Sequence, residues 1–343
     1  MTLKQKSMNT KLAASEKTTS NLIQDIWHGK PYYSLDAYCK NTFGEKLYKV
    51  SIDAGFSCPN RDGTLDTRGC IFCSSGGSGE FASPFKLDAS PEAAFHQAYA
   101  DGISAVSGKS AAKRYIVYFQ AYTNTYGPVP YLERLYRLAL EESSCAGISV
   151  ATRPDTLPDE IIALLSRLKK EYAPKFIWIE LGLQTIHERT ALFIRRGYPL
   201  SCFEDSVKKL YQAEIPVITH IILGLPGESV KEMLESITYL NGTTIAGIKL
   251  QLLHILKNTD LGRLYEKSPD DYCTIYELEQ YLDILITCLT HLRSDIVVHR
   301  LTGDAKRSLL LAPAFSTDKR NILNSLHRKM RNTHTFQGKY LEN

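Results

Sequence analysis

Three cysteines carry the densest chemistry in this chain of 343 residues: Cys58, Cys70 and Cys73, in the stretch CPNRDGTLDTRGCIFC. Cys70 and Cys73 form a Cys-x-x-Cys pair, a turn that lets two thiolates face one metal centre. Cys58 stands across an eleven-residue loop rich in turn formers, among them Pro59, Asn60, Asp62, Gly63, Asp66 and Gly69. The number of thiolates decides the chemistry. Four would close a tetrahedral zinc site or fill every iron of a 4Fe-4S cube. Three leave one iron of such a cube with an open position for an external chelating ligand. Arg61 and Arg68 lie in the same loop and could balance the anionic sulfur.

Other readings compete on spacing alone. A structural zinc site wants a fourth ligand at short range, and the loop offers no His or further Cys. A redox dithiol needs only Cys70 and Cys73 and leaves Cys58 without a role. A disulfide is disfavoured because the polar start, MTLKQKSMNTKLAASEKTTS, has no apolar secretory segment. Cys39, Cys145, Cys202, Cys273 and Cys288 are scattered singly and show no spacing for a second centre.

The flanking residues weigh further. The segment KVSIDAGFSCPNRDGTLDTRGCIFCSSGGSGEF resembles the radical S-adenosylmethionine (SAM) family that includes the YhcC and YtqA (MnmL-like) proteins, a branch related to Elp3. The resemblance continues in YFQAYTNTYGP, SVATRPDTL, WIELGLQT, HIILGLPGES, KLQLLHILKNT and VVHRLTGDA. It implies a cluster on Cys58, Cys70 and Cys73 whose fourth iron takes SAM through its amino and carboxylate groups. Cleavage of the sulfonium then gives a 5′-deoxyadenosyl radical. It also implies a partial (β/α)6 barrel and cofactor contacts from Glu180, Gln184, Arg196, Gly76, Gly77, Asn124 and Gly224. No catalytic residue is assigned. Two departures limit the transfer. The Gly-Gly-Glu element common after the second strand is replaced by Thr123-Asn124-Thr125, so the partner of SAM's amino group stays open among Gln120, Thr123 and Asn124. Tyr198 stands where relatives commonly carry histidine, and no role for that histidine is carried over.

Elements of the right kind surround these residues. Apolar β-type runs occur at 47–53, 115–121, 147–152, 176–182, 217–223, 247–254 and 296–301. Helix-type patterns lie between most of them, at 91–106, 131–141, 158–172, 201–213, 229–241 and 274–292. Alternation of this kind predicts an α/β fold with a parallel sheet, and the near-continuous apolar strands predict burial on both faces. The motif residues then fall at the C-terminal strand edges, where such sheets bind ligands. Glu180 interrupts the apolar strand FIWIELGL, where a lone carboxylate is costly unless paired. Pairing with a basic neighbour and contact with SAM are the two readings. Gly76 and Gly77 suit either a close backbone approach or a plain loop, and Gly224 suits a turn. The expected organisation is a disordered tail at 1–30, a core at 31–295 and a basic C-terminal extension at 296–343.

Charge and composition bear on partners. Hydrophobic residues make up 43% of the chain, enough for a full core, and no apolar run reaches membrane-spanning length. The formal net charge of +4 is uneven: residues 299–343 hold nine Lys/Arg against three Asp/Glu, while 1–298 hold 32 against 34. A basic end of this kind suits phosphates or a plain solvated face. In 318–331, Ile322, Leu323, Leu326 and Met330 form one apolar stripe with basic residues largely elsewhere. His254, His299, Asp304 and Lys306 are placed for substrate or tail docking without assignable roles. The resemblance implies action on the tRNA wobble uridine, converting 5-carboxymethylaminomethyl to 5-aminomethyl, with an electron donor such as flavodoxin or ferredoxin, in the cytoplasm. A radical enzyme acting on a small metabolite, or a non-catalytic cluster- or zinc-stabilised RNA-binding protein, are the alternatives.

Overall fold

A computed structural model of the chain describes residues 25–341 apart from 78, 87 and 108–112. Most of the expected tail, residues 1–24, lies outside the described residues, whereas Trp27 in its last part is fully buried. In chain order the elements are α1 (Leu35–Phe43), β1 (Tyr48–Asp53), β2 (Ser83–Pro84), α2 (Pro91–Ser107), β3 (Tyr115–Phe119), α3 (Val129–Glu141) and β4 (Cys145–Thr152). There follow α4 (Asp159–Glu171), β5 (Phe176–Gln184), α5 (Glu188–Phe193), α6 (Leu200–Gln212), β6 (Val217–Leu223) and α7 (Val230–Asn241). The chain ends with β7 (Gly247–Leu252), β8 (Ile255–Leu256), α8 (Asp260–Lys267), α9 (Pro269–Tyr272), α10 (Leu278–Thr290), β9 (Val297–Arg300), β10 (Leu310–Ala312) and α11 (Lys319–Asn332).

Eight strands form one sheet in the order β2-β1-β3-β4-β5-β6-β7-β9, with every neighbouring pair parallel. The sheet curls. Neighbouring strands stand about 4.8 Å apart, so Tyr118 on β3 and Lys249 on β7, four strands apart, would be roughly 19 Å from each other in a flat sheet. Their side chains instead hydrogen-bond at 3.0 Å. This is the partial barrel that the resemblance implies, extended by β2 on one edge and β9 on the other.

Alternation along each strand sorts residues onto two surfaces. On β5, Ile177, Ile179, Leu181 and Leu183 face the helices and join the main core. Trp178, Glu180, Gly182 and Gln184 face inward. The inner surface is apolar at its lower end, where Leu47, Ile116, Ala146, Trp178 and Ile218 cluster with Cys39 of α1. The helix plugs the bottom of the barrel: Tyr38 packs edge-on to Trp178 with ring centroids 5.8 Å apart. Ser34 caps α1 by accepting from the Ala37 N–H, and Gly44 ends it at φ 74°. The top of the barrel is left open.

The C-terminal region is part of this body. β9 pairs with β7, so the boundary expected at 295 falls inside one sheet. Of the expected stripe, Ile322, Leu326 and Met330 of α11 are fully buried, and Leu323 is half-buried against the same core. Both ends of the described chain meet on the β9 edge. Gln337 accepts from the Tyr33 N–H at 2.9 Å and donates to Arg293 O and Ile296 O. Tyr32 Oη and His327 Nε2 lie 2.9 Å apart, and Ser34 bridges Val298 in parallel.

Candidate functional site

The open top of the barrel is a cavity of about 600 Å3. Its floor follows from strand alternation: polar residues two apart on otherwise apolar strands point inward together. Lys49 and Ser51 come from β1, Tyr118 from β3, Glu180, Gly182 and Gln184 from β5, His220 from β6, and Lys249 and Gln251 from β7.

Glu180 is the hub of that floor. Its side chain is fully buried and accepts from Lys49 and Lys249, from Ser149 Oγ at 2.6 Å and from His220 Nε2 at 2.8 Å. An ionised carboxylate only accepts, so the His220 proton sits on Nε2. The two ammonium groups hold the Glu180 carboxyl well below the usual range against its own burial. The pairing read from the sequence is present, with two basic partners rather than one, and the same carboxylate lines the cavity.

The rim is built by the cysteine loop after β1. Cys58, Cys70 and Cys73 all line the cavity. The Arg61 guanidinium staples the loop by donating to Cys73 O at 2.8 Å and Ser74 O at 2.7 Å. Gly69, at φ 76°, makes room for it, since a Cβ there would lie 2.9 Å from Arg61 Nε. Asn60 donates to Arg195 O at 2.7 Å and approaches Cys70 Sγ at 3.5 Å. Burial pushes the Cys70 thiol up to about 12, partly opposed by Arg153, and pushes Cys73 upward against Arg61. Thiolates here need positive charge beside them. Among the described residues no three His, Cys, Asp or Glu side chains are placed to hold a single metal ion. Each thiolate of an iron–sulfur cube binds a different iron, so its ligands stand around the group rather than meeting at a point. Three thiols on one cavity wall, with Arg61 and Arg153 beside them, fit that donor pattern.

The remaining candidates divide. Gly77, Gln184 and Arg196 line the cavity; Gly76, Asn124 and Gly224 do not. Gly77 sits at φ 57° under the Tyr122 ring, where a Cβ would lie 2.5 Å from the ring. Gln184 holds φ 70°, a conformation side chains rarely adopt, and its buried Oε1 has no partner. Arg196 is a strut: it donates to Tyr198 O, Leu183 O, Thr185 O and Glu188. Asn124 is fully buried behind the wall, its amide donating to Ala121 O and Ala151 O, so Gln120 and Thr123 are the members of that trio on the cavity. Gly224 makes a tight turn against Ile275 at φ 86°. His254 and Asp304 line the cavity, and the buried His254 Nε2 has no partner. His299 packs beneath them against Trp178. Tyr122 is on the wall, Phe119 is in the core, and Tyr126 lies outside, paired with Thr64.

Sequence reasoning missed Lys49, His220, Lys249 and Arg300. The signal was present: VITHIIL and GIKLQL each place polar residues at inward positions of an apolar strand.

Burial keeps histidines of this site neutral. Burial lowers His220 to about 4, with Lys249 adding to the effect, and His254 to about 4 likewise. An unfolded histidine takes its proton near 6.5, so between about pH 6.5 and 4 the unfolded chain binds more protons. Stability is thus complete above about 6.5 and falls as pH drops through that window, by up to about 1.4 kcal/mol per unit for each histidine. Urea unfolding of the metal-free protein is expected to show a loss of about 2–4 kcal/mol between pH 7.5 and 5. A flat profile would contradict this.

Comparison with known proteins bears on the assignment. Residues 67–240 match the Radical SAM superfamily, and residues 245–332 match the Radical_SAM C-terminal domain. The YtqA protein of Bacillus subtilis is 38% identical over 313 residues, covering 91% of this chain and 94% of that protein. The YhcC protein of Escherichia coli (strain K12) is 34% identical over 300 residues, covering 87% and 92%. Among solved structures, the archaeal Methanocaldococcus infernus Elp3 superposes with a TM-score of 0.59 at 14% identity, over 85% of this chain and 64% of that one. The last likeness concerns the fold.

Proposed function

The chain belongs to the radical SAM superfamily, and from that premise we propose that it modifies the wobble uridine of tRNA, converting a 5-carboxymethylaminomethyl group to 5-aminomethyl. In this reading Cys58, Cys70 and Cys73 hold a 4Fe-4S cluster whose fourth iron is left to SAM. When bound, the pair supplies a 5′-deoxyadenosyl radical able to take hydrogen from an unactivated carbon. The protein's part is to bind, orient and exclude water. Arg61 and Arg153 offset the negative charge of cluster and thiolates. Gln120, Thr123 and Gln184 line the part of the cavity that SAM would enter, and the Oε1 of Gln184 is left to accept from it. The strut made by Arg196 fixes the backbone under Gln184.

One observation carries the reading furthest: the three thiols share a cavity whose wall continues through Arg300, Gly303 and Asp304 into the basic segment. Lys306, Arg307, Arg320, Arg328 and Arg331 are all exposed there. A wobble base lies in a single-stranded loop and can be splayed into such a pocket while phosphates meet the cations. Neutralising five phosphates gives a log–log salt slope of about −4.5. Binding of unmodified tRNA is therefore expected to weaken by a factor of about 500 between 50 and 200 mM salt. Lys306→Ala with Arg307→Ala should flatten the slope by about 2. A weak response that ignores salt would point instead to a small metabolite. The substrate itself is tested by nucleoside mass spectrometry of tRNA from a deletion strain. The carboxymethylaminomethyl nucleoside should accumulate and the aminomethyl forms should vanish; persistence of the aminomethyl forms rejects the assignment.

A further inference from the structure

The cavity floor carries more cation than its carboxylate balances. Lys49 and Lys249 both end on Glu180, with side chains only 17% and 4% exposed. The other groups facing them bring no negative charge: Tyr118 gives its ring to both lysines at 4.5 Å and its hydroxyl to Lys249, and His220 and His299 are held uncharged by burial. Arg300 lines the same cavity, and its partner Asp304 is shared with Lys319. A buried ammonium without a counter-ion is costly. Such a pair either sheds a proton, the direction in which burial and then Lys49 and Arg300 push Lys249 against Glu180, or takes an anion that keeps both lysines charged. Donors remain for the second outcome. An ammonium has three N–H groups; Lys49 gives one to Glu180, and Lys249 gives one to Glu180 and one to Tyr118. Both lysines line the cavity.

The geometry points to an anion site here: Lys49 and Lys249, gathered by Glu180 and flanked by Arg300, receive a carboxylate of the substrate at the floor of the barrel. The inference rests on the function proposed above and deepens it. The modified uridine ends in a carboxylate, and the product lacks it. The same two lysines would therefore hold the substrate, and afterwards the two-carbon carboxylate fragment cut from nitrogen, while the aminomethyl RNA keeps no anion to bind them. The floor sets the depth of entry, leaving the methylene next to the carboxylate one step above it, toward the cysteine rim.

The test uses full-length protein, reconstituted anaerobically and loaded with SAM without reductant, so that binding is read without turnover. Two anticodon stem-loops are titrated, identical except for 5-carboxymethylaminomethyluridine or 5-aminomethyluridine at the wobble position. The wild type should bind the carboxylated RNA about tenfold tighter or more, the scale of a charge-assisted hydrogen bond. Lys49→Met should bring the two within about twofold without weakening the aminomethyl RNA, and Lys49→Arg should keep the preference. Saturation-transfer NMR with sarcosine and its methyl ester probes the site without RNA; transfer to sarcosine alone is expected. Equal binding of the two RNAs by the wild type overturns the anion site and leaves tRNA as the substrate. Failure of both RNAs to bind while sarcosine binds overturns the tRNA reading and leaves the site. A Lys49→Met protein that loses SAM affinity but keeps the RNA preference assigns the lysines to the cofactor and overturns the inference.

Discussion

Cys70→Ala protein, prepared anaerobically with iron, sulfide, dithionite and SAM, is expected to release no 5′-deoxyadenosine above background. The argument is one of ligand number. Three thiols line the cavity, and each is needed to leave a single iron open to SAM. With two, the cluster is lost or another ligand fills the gap, and iron content should fall with activity. The fold should survive. Cys70 is half-buried in a loop held by backbone contacts that alanine keeps: Cys73 N–H to Cys70 O at 3.0 Å, and Ile71 N–H to Ile194 O at 3.2 Å. Cys58→Ala and Cys73→Ala should behave alike. Cys202 begins α6, facing a separate hollow with Asp155 and Lys209, so Cys202→Ala should retain activity. Full activity in the Cys70 variant would remove the cluster assignment.

The second large effect is on stability. Glu180→Ala should cost about 3–5 kcal/mol, the penalty for leaving buried charge uncompensated. Here two ammonium groups lose their shared partner, and Ser149 and His220 lose their acceptor. For a chain of this size that loss lowers the melting temperature by roughly 4–7 °C. Pairing Glu180→Gln with Lys249→Met removes one charge of each sign and should recover much of the loss. If the double variant is no more stable than Glu180→Ala, the floor is not held together by charge.

The scaffold was legible because buried parallel strands are written as apolar runs. The run at 217–223 is β6 residue for residue, and 91–106 becomes α2 with one residue added. Short elements were not. β2 has two residues, and β8 and β10 earn their place by pairing with each other far from sequence neighbours. The cysteines were legible because ligand spacing is local. Glu180 was visible as a misfit, but its partners were not: Lys49, His220 and Lys249 lie 131, 40 and 69 residues away along the chain. Only the curl of the sheet brings them to one point. The same distance explains Asn124 and Gly224. Their place in a motif is a fact of sequence, but whether a motif residue faces the cavity or the layer behind depends on the turn that presents it.

The clasp between the two ends of the described chain has a consequence for local opening. Gln337 ties down the backbone at Tyr33, 304 residues away along the chain, and Val298 N–H donates to Tyr33 O beside it at 2.7 Å. Contacts so far apart in sequence are joined only through the folded body, so an edge held by them opens as a unit. Gln337→Ala should therefore speed amide exchange at Val298 while the central strands keep their protection.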